Sequence, residues 1–152
     1  MDVEEKGNLA LGMGADTFIC PPATLGQRSW LYGRNQFDVI IDTAGAPETI
    51  AHCLPFLDSG GRYIMVGQPR PGQDVAMRGA NHMFQGDGKR IIATQGGRFN
   101  PTKDVPRYVQ LWQAGKIKLD SLITHHIPLG EINAGLDLVR AGMASRVLIE
   151  MS

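Results

Sequence analysis

The sequence predicts an α/β fold built on a parallel sheet flanked by helices, and three observations carry that reading. Residues Phe37 to Pro69 (FDVIIDTAGAPETIAHCLPFLDSGGRYIMVGQP) run as strand, turn, helix, glycine turn and strand. Two short apolar strands joined by a helix imply a βαβ crossover between parallel neighbours. A third apolar stretch, Lys89 to Thr94, follows the break at Gly86-Asp87-Gly88 and ends at Gly96-Gly97.

Within the central unit, Phe37 to Ile41 has the length and β-branched content of a strand covered on both faces. Pro47 suits the first helical turn, where its missing N–H costs nothing, and Glu48 suits the positive end of the helix dipole. Ile50, Ala51, Leu54 and Leu57 share one helical face. Ser59-Gly60-Gly61 is expected to stop that helix, and Arg62 to Val66 to form the next strand. Such sheets hold ligands beyond the carboxyl ends of their strands. Those ends are Thr43-Ala44-Gly45-Ala46 and Val66-Gly67-Gln68-Pro69, small and glycine-containing, so a ligand can approach the backbone closely.

Upstream, Asp2 to Ala15 reads as an exposed helix, weakened by Gly7. Asp16 to Cys20 reads as a short strand closed by Pro21-Pro22, and Ala23 to Gln36 as a further helix. Downstream, Arg70 to Asp74 is a polar turn and Val75 to Gln85 a short helix. Beyond Asn100, Pro101 to Asp104 caps a helix from Val105 to Ala114, with Val105, Tyr108, Val109 and Trp112 on one face and Gly115 as its stop. Leu122 to Ile127 is a strand, and Glu131 to Ala141 is a helix expected to bury Ile132, Leu136 and Val139. Ser145 to Met151 closes the chain as a strand.

At 152 residues the chain is large enough to bury a core. Fifteen basic and fifteen acidic side chains cancel, so no net field recruits nucleic acid or an anionic membrane. No apolar run approaches the roughly 20 residues needed to span a bilayer. The acidic start MDVEEKGN is unlike a signal peptide, and a cytoplasmic setting is the expectation. Cys20, Cys53 and the four histidines lack zinc-site spacing. His125 and His126 are neighbours on a strand and point to opposite faces, so a structural role is expected rather than chelation of one ion. Cys53 is expected to be a buried small hydrophobe.

The order of motifs GAD, FDVIIDTAG, GGRYIMVGQP and GKRIIATQGG, followed by VPRYVQLWQAGKIKLDSLITHHIPLGEINAGLDLVRAG, resembles the carboxyl-terminal half of a zinc-dependent alcohol dehydrogenase of the medium-chain dehydrogenase/reductase superfamily. The resemblance runs from Asp2 to Met151. It implies a partial Rossmann-type sheet over residues 1–100, with a helix-strand tail over 101–152 that packs back on it and belongs to the catalytic domain of the full enzyme. The first strand, its G-x-G-x-x-G turn and the domain bearing the zinc ligands would lie upstream, so zinc is expected only there, and no catalytic or metal-binding residue is expected in this chain. The cofactor implied is NAD in preference to NADP. Activity of these residues alone is expected to be absent. The alternative is a non-catalytic Rossmann module that self-associates or pairs with a full-length relative. A zinc-free reductase of the same superfamily is a third reading, away from which LITHHIPLGEI leans.

The resemblance also assigns sites. Asp2 corresponds to the acidic residue that binds the adenosine ribose hydroxyls; its alternative is a solvated terminal carboxylate. Lys6 corresponds to a lysine reaching the same ribose, with an exposed helix lysine as the alternative. Thr43, Ala44 and Gly45, with Val66, Gly67 and Gln68, correspond to backbone segments lining the cofactor crevice; tight turn geometry alone would select the same glycines. Thr94 and Gln95 correspond to the stretch that hydrogen-bonds the carboxamide. Arg140 corresponds to an arginine that meets the pyrophosphate, where a guanidinium grips in bidentate fashion, although a final-turn arginine also serves the helix dipole. Arg90 to Thr94 corresponds to the edge strand through which such enzymes form homodimers, and a long apolar strand at a sheet edge needs cover.

Overall fold

A computed structural model describes residues 3–19 and 37–151. Two compact units make up the chain, Ala23–Phe99 and a second unit composed of Met1–Pro22 with Asn100–Ser152.

In the Ala23–Phe99 unit, strand β1 (Phe37–Asp42), helix α2 (Pro47–Cys53), strand β2 (Leu57–Met65) and strand β3 (Arg90–Ala93) follow one another. The sheet order is β1-β2-β3 with both pairings parallel. Ile41 stands opposite Ile64 in one ladder, and Ile64 opposite Ile92 in the next. Pro47 opens α2 as expected, and a 3-10 turn (Leu54–Phe56) continues it into β2. Ile50, Leu54, Leu57 and Tyr63 form the buried core, with Ile40, Met65 and Ile91 packed against it.

Three expectations change here. The Ser59-Gly60-Gly61 segment does not stop the helix; it is a wide bulge inside β2, where the partner strand steps from Phe37↔Leu57 to Val39↔Arg62. Gly60 adopts φ 71° and donates its N–H to the Asp87 carbonyl at 2.5 Å, while the Ser59 hydroxyl accepts from the Asp87 N–H at 2.9 Å. A bulge thus clips the middle of β2 to the turn before β3, a role glycine suits because the conformation is left-handed. Secondly, Val75 to Gln85 is helical only as a 3-10 segment (Ala80–Phe84), because Gly79 before it is left-handed at φ 69°. Thirdly, β1 is covered on one face: Asp42 is buried while Ile41 is 60% exposed.

The second unit contains α1 (Val3–Gly12), α3 (Pro101–Gln113), β4 (Ile123–Pro128), α4 (Ile132–Arg140) and β5 (Arg146–Glu150), with β4 and β5 paired in parallel. Helix α3 starts at Pro101, one turn before the expected Val105, because Asp104 caps it by accepting the Asn100 N–H at 2.7 Å. Lys118 Nζ donates to the Gly12 carbonyl at 2.6 Å, placing a cation at the negative end of α1. Helix α4 does not bury Ile132, Leu136 and Val139, which are 40–52% exposed. Gly135 faces inward instead: a Cβ there would overlap Ile127 and lie 3.2 Å from Val147 Cγ1. A residue without a side chain lets the helix backbone approach the β4-β5 pair, and that close approach decides which face turns in. Asp16 to Ile19 forms no strand, because no ladder partner meets it among the described residues. Cys20 and the expected helix from Ala23 to Gln36 lie outside the described residues.

Candidate functional site

The three described strands of the Ala23–Phe99 unit point the same way, so their carboxyl ends meet at one edge. There the chain leaves the ladders for the turns that follow each strand. A recess of about 370 Å³ opens at this edge, with Val66, Gly67, Gln68, Thr94 and Gln95 in its wall. That volume falls at the lower end of the range of ~300–1,000 Å³ for ligand pockets. Thr43, Ala44 and Gly45 lie against the Gly67–Gln68 part of that wall. A Cβ on Gly45 would lie 2.6 Å from the Gln68 carbonyl oxygen, and one on Gly67 would overlap the Gly45 nitrogen. The two turns therefore touch backbone to backbone, and both glycines are required by that approach. Eight of the expected site residues share this edge.

Hydrogen bonds hold the tips in line. The Asp42 carbonyl accepts from Val66 N–H at 2.8 Å and Gly67 N–H at 3.0 Å, and the Met65 carbonyl accepts from Thr94 N–H at 3.0 Å. The Thr94 hydroxyl accepts from the Gly97 N–H at 3.1 Å. Arg98 next to it has φ 62°, an uncommon left-handed setting for a residue with a side chain.

The buried pair Asp42 and Tyr63 was not singled out from the sequence. Asp42 Oδ2 accepts from the Tyr63 hydroxyl at 2.9 Å and Oδ1 from the Ala44 N–H at 2.8 Å. The available signal was an aspartate at the inward-facing position that closes an apolar strand (FDVIID). Burial pushes the Tyr63 hydroxyl far above its ordinary pKa, and the hydrogen bond to Asp42 and its charge add to the rise. Burial likewise raises the Cys53 thiol, with Asp42 contributing. Folded Tyr63 keeps a proton that the unfolded residue loses above about pH 10, so stability present below that pH declines as pH rises beyond it. Tyr63→Phe is expected to flatten this alkaline decline, as measured by urea unfolding across neutral to strongly alkaline pH.

The remaining expected residues lie elsewhere. Lys6 is exposed on α1, with Nζ 3.5 Å from the position of a Cβ built on Gly142, just past α4. Arg140 is exposed and pairs with Asp137 at 2.9 Å. Both belong to the second unit. Asp2 lies outside the described residues. His125 Nδ1 lies 3.0 Å from the Thr124 hydroxyl, and His126 Nδ1 lies 3.6 Å from Glu150. Among the described residues no group of three or more His, Cys, Asp or Glu could hold a metal ion, so they do not fit a zinc centre. A second cavity, of about 540 Å³, lies in the second unit beside Leu9, His125 and Met143. It lacks the convergent strand ends of the first. No helix among the described residues is long and apolar enough to cross a membrane.

Parallel strands flanked by helices, with a recess at their carboxyl edge, define a Rossmann-like α/β protein. Residues 13–145 match the family model of zinc-binding dehydrogenases, and the chain belongs to that family. It is 29% identical over 94 residues to alcohol dehydrogenase 1 of Cenchrus americanus, a match covering 62% of this chain and 24% of that protein. Its structure resembles benzyl alcohol dehydrogenase from Acinetobacter calcoaceticus with a TM-score of 0.87 and 25% identity, over 100% of this chain and 41% of that one. A short chain alcohol dehydrogenase from E. coli CFT073, complexed with cofactor NADH, shares the fold with a TM-score of 0.73 and 19% identity, over 98% of this chain and 42% of that one. The chain thus spans about a quarter of the length of the curated relative it matches.

Proposed function

We propose that this chain forms the cofactor-facing portion of an NAD-dependent alcohol dehydrogenase that exchanges a hydride between an alcohol or aldehyde and the nicotinamide. The observation that carries this reading is the convergence of the turns after β1, β2 and β3 on one edge, with Val66, Gly67, Gln68, Thr94 and Gln95 around the recess. The residues present fit such a group: the wall is small and rich in backbone, so a flat heteroaromatic amide can lie against it and exchange hydrogen bonds with main-chain groups. Bound NAD would supply the hydride acceptor. Thr43 to Gly45 supports the wall through its close backbone approach to Gly67 and Gln68. The resemblance to the family proposes Lys6 and Arg140 as contacts of the ribose and the pyrophosphate in the full enzyme. Asp2 is proposed to favour NAD, since a carboxylate at the ribose repels a 2′-phosphate.

Calorimetric titration with NADH and NADPH tests the reading. Saturable binding of NADH, tighter than that of NADPH, is the expected result, and no heat of binding from either would sink it. No alcohol oxidation is expected from the 152 residues alone, whose cysteines and histidines lack zinc-site spacing.

A second reading, a non-catalytic module that associates with itself or a full-length relative, draws on the sheet edge. Among the described residues β3 pairs only with β2, and Ile92 on it is 40% exposed. Pairing with the same strand of a second copy would cover it. Sedimentation is expected to show a homodimer that Ile92→Lys converts to a monomer; a monomeric native chain would refute this interface.

A further inference from the structure

We propose that Asp42 is the positioning residue of the crevice: its carboxylate holds the Thr43–Gly45 turn while its main-chain carbonyl holds the Val66–Gly67 turn. This rests on the reading of that edge as a cofactor site. Asp42 is 6% exposed, so its polar atoms need protein partners. Each has one. Oδ1 takes the Ala44 N–H, Oδ2 takes the Tyr63 hydroxyl, and the carbonyl oxygen takes both Val66 N–H and Gly67 N–H. Tyr63 is fully buried within the Ile50, Leu54 and Leu57 cluster. Through Tyr63 the carboxylate is anchored to the core, and through Ala44 it sets the first turn beyond β1. The touching backbones of Gly45 and Gln68 leave that turn no slack. A small displacement of Ala44 is therefore passed directly to the wall of the recess.

The chemistry explains why a carboxylate serves here. Ala44 N–H and Tyr63 O–H are both donors, and an ionised carboxylate offers an acceptor to each. Asparagine has one carbonyl acceptor and an NH2 group with two donors, but the tyrosine hydroxyl can reverse its role and accept from the amide. Asp42→Asn should then preserve the geometry, whereas Asp42→Ala abandons both turn and anchor.

The test compares the native chain, Asp42→Asn, Asp42→Ala and a core control, Leu54→Val, by NADH titration, thermal unfolding and amide hydrogen exchange. Asp42→Ala is expected to raise the NADH dissociation constant about tenfold or more and to speed exchange at Ala44 and Gly67. Asp42→Asn should stay within about threefold of the native value, and Leu54→Val should bind as the native chain does wherever it is folded. A folded Asp42→Ala with native exchange and native affinity overturns the proposal. So does a Leu54→Val chain that loses as much affinity as Asp42→Ala at the same loss of Tm, since the role would then be merely structural. If the native chain binds no NADH, the cofactor reading fails by itself, and unchanged exchange at Ala44 and Gly67 in Asp42→Ala decides against the positioning role. Should Asp42→Ala not fold, Tyr63→Phe takes its place; it keeps the ring and removes one donor, and unaltered Ala44 exchange in that variant overturns the proposal.

Discussion

Gly67→Ala is expected to abolish saturable NADH binding and to destabilise the Ala23–Phe99 unit, although it adds a single methyl group. A Cβ at residue 67 would overlap the Gly45 nitrogen and lie 2.7 Å from the Thr43 carbonyl carbon and 2.8 Å from that of Ala44. All three obstacles are backbone, so no side chain can swing aside. Relief requires parting the turns after β1 and β2, which breaks the hydrogen bonds from Val66 and Gly67 to the Asp42 carbonyl. Overpacking of this kind costs about 1–3 kcal/mol, and lost main-chain bonds add to it. Gly130→Ala is the matched control: nothing lies within 4 Å of its Cβ, so a change within about 0.5 kcal/mol is expected. Urea unfolding and NADH titration of both variants check the contrast. Native affinity in Gly67→Ala would show that the two turns are not held together as described.

Leu54→Ala is the second large effect, and it separates stability from binding. Leu54 is 0% exposed in a buried cluster of four residues, beside Ile50, Leu57 and Tyr63. Truncating a buried leucine costs about 2–5 kcal/mol, the spread reflecting how far the cavity can collapse. Whole domains are stable by only about 5–15 kcal/mol, so a cluster this small has few other contacts to share the loss. Leu54 precedes β2, at the end of the strand opposite Val66 to Gln68. The fraction that remains folded should therefore bind NADH with native affinity. Leu148→Ala, at a side chain 45% exposed, is expected to cost less than about 1 kcal/mol. Equilibrium unfolding resolves the two, and equal losses would contradict the assigned core.

Local signals carried most of the element order. Apolar runs of strand length mark β1, β3, β4 and β5, Pro47 marks the start of α2, and glycines mark the turns after β1 and β2. Where local signals misled, a partner distant in sequence decided. Ser59-Gly60-Gly61 looks like a helix stop because glycine ends helices, yet here it bulges within a strand and is clipped to Asp87. Ile132, Leu136 and Val139 look like a buried stripe, but Gly135 permits the closer approach to β4 and turns that stripe outward.

What the sequence by itself determined is the α/β class, the βαβ unit and the place of the glycine turns after β1 and β2, because strand and helix periods and glycine punctuation are properties of neighbouring residues. Only the tertiary structure decided which face of each element is covered, and that the carboxylate of Asp42 meets the hydroxyl of Tyr63 21 residues away. A repeating pattern of apolar residues states that one side seeks cover, whereas the identity of the covering group depends on chain segments brought together only by folding.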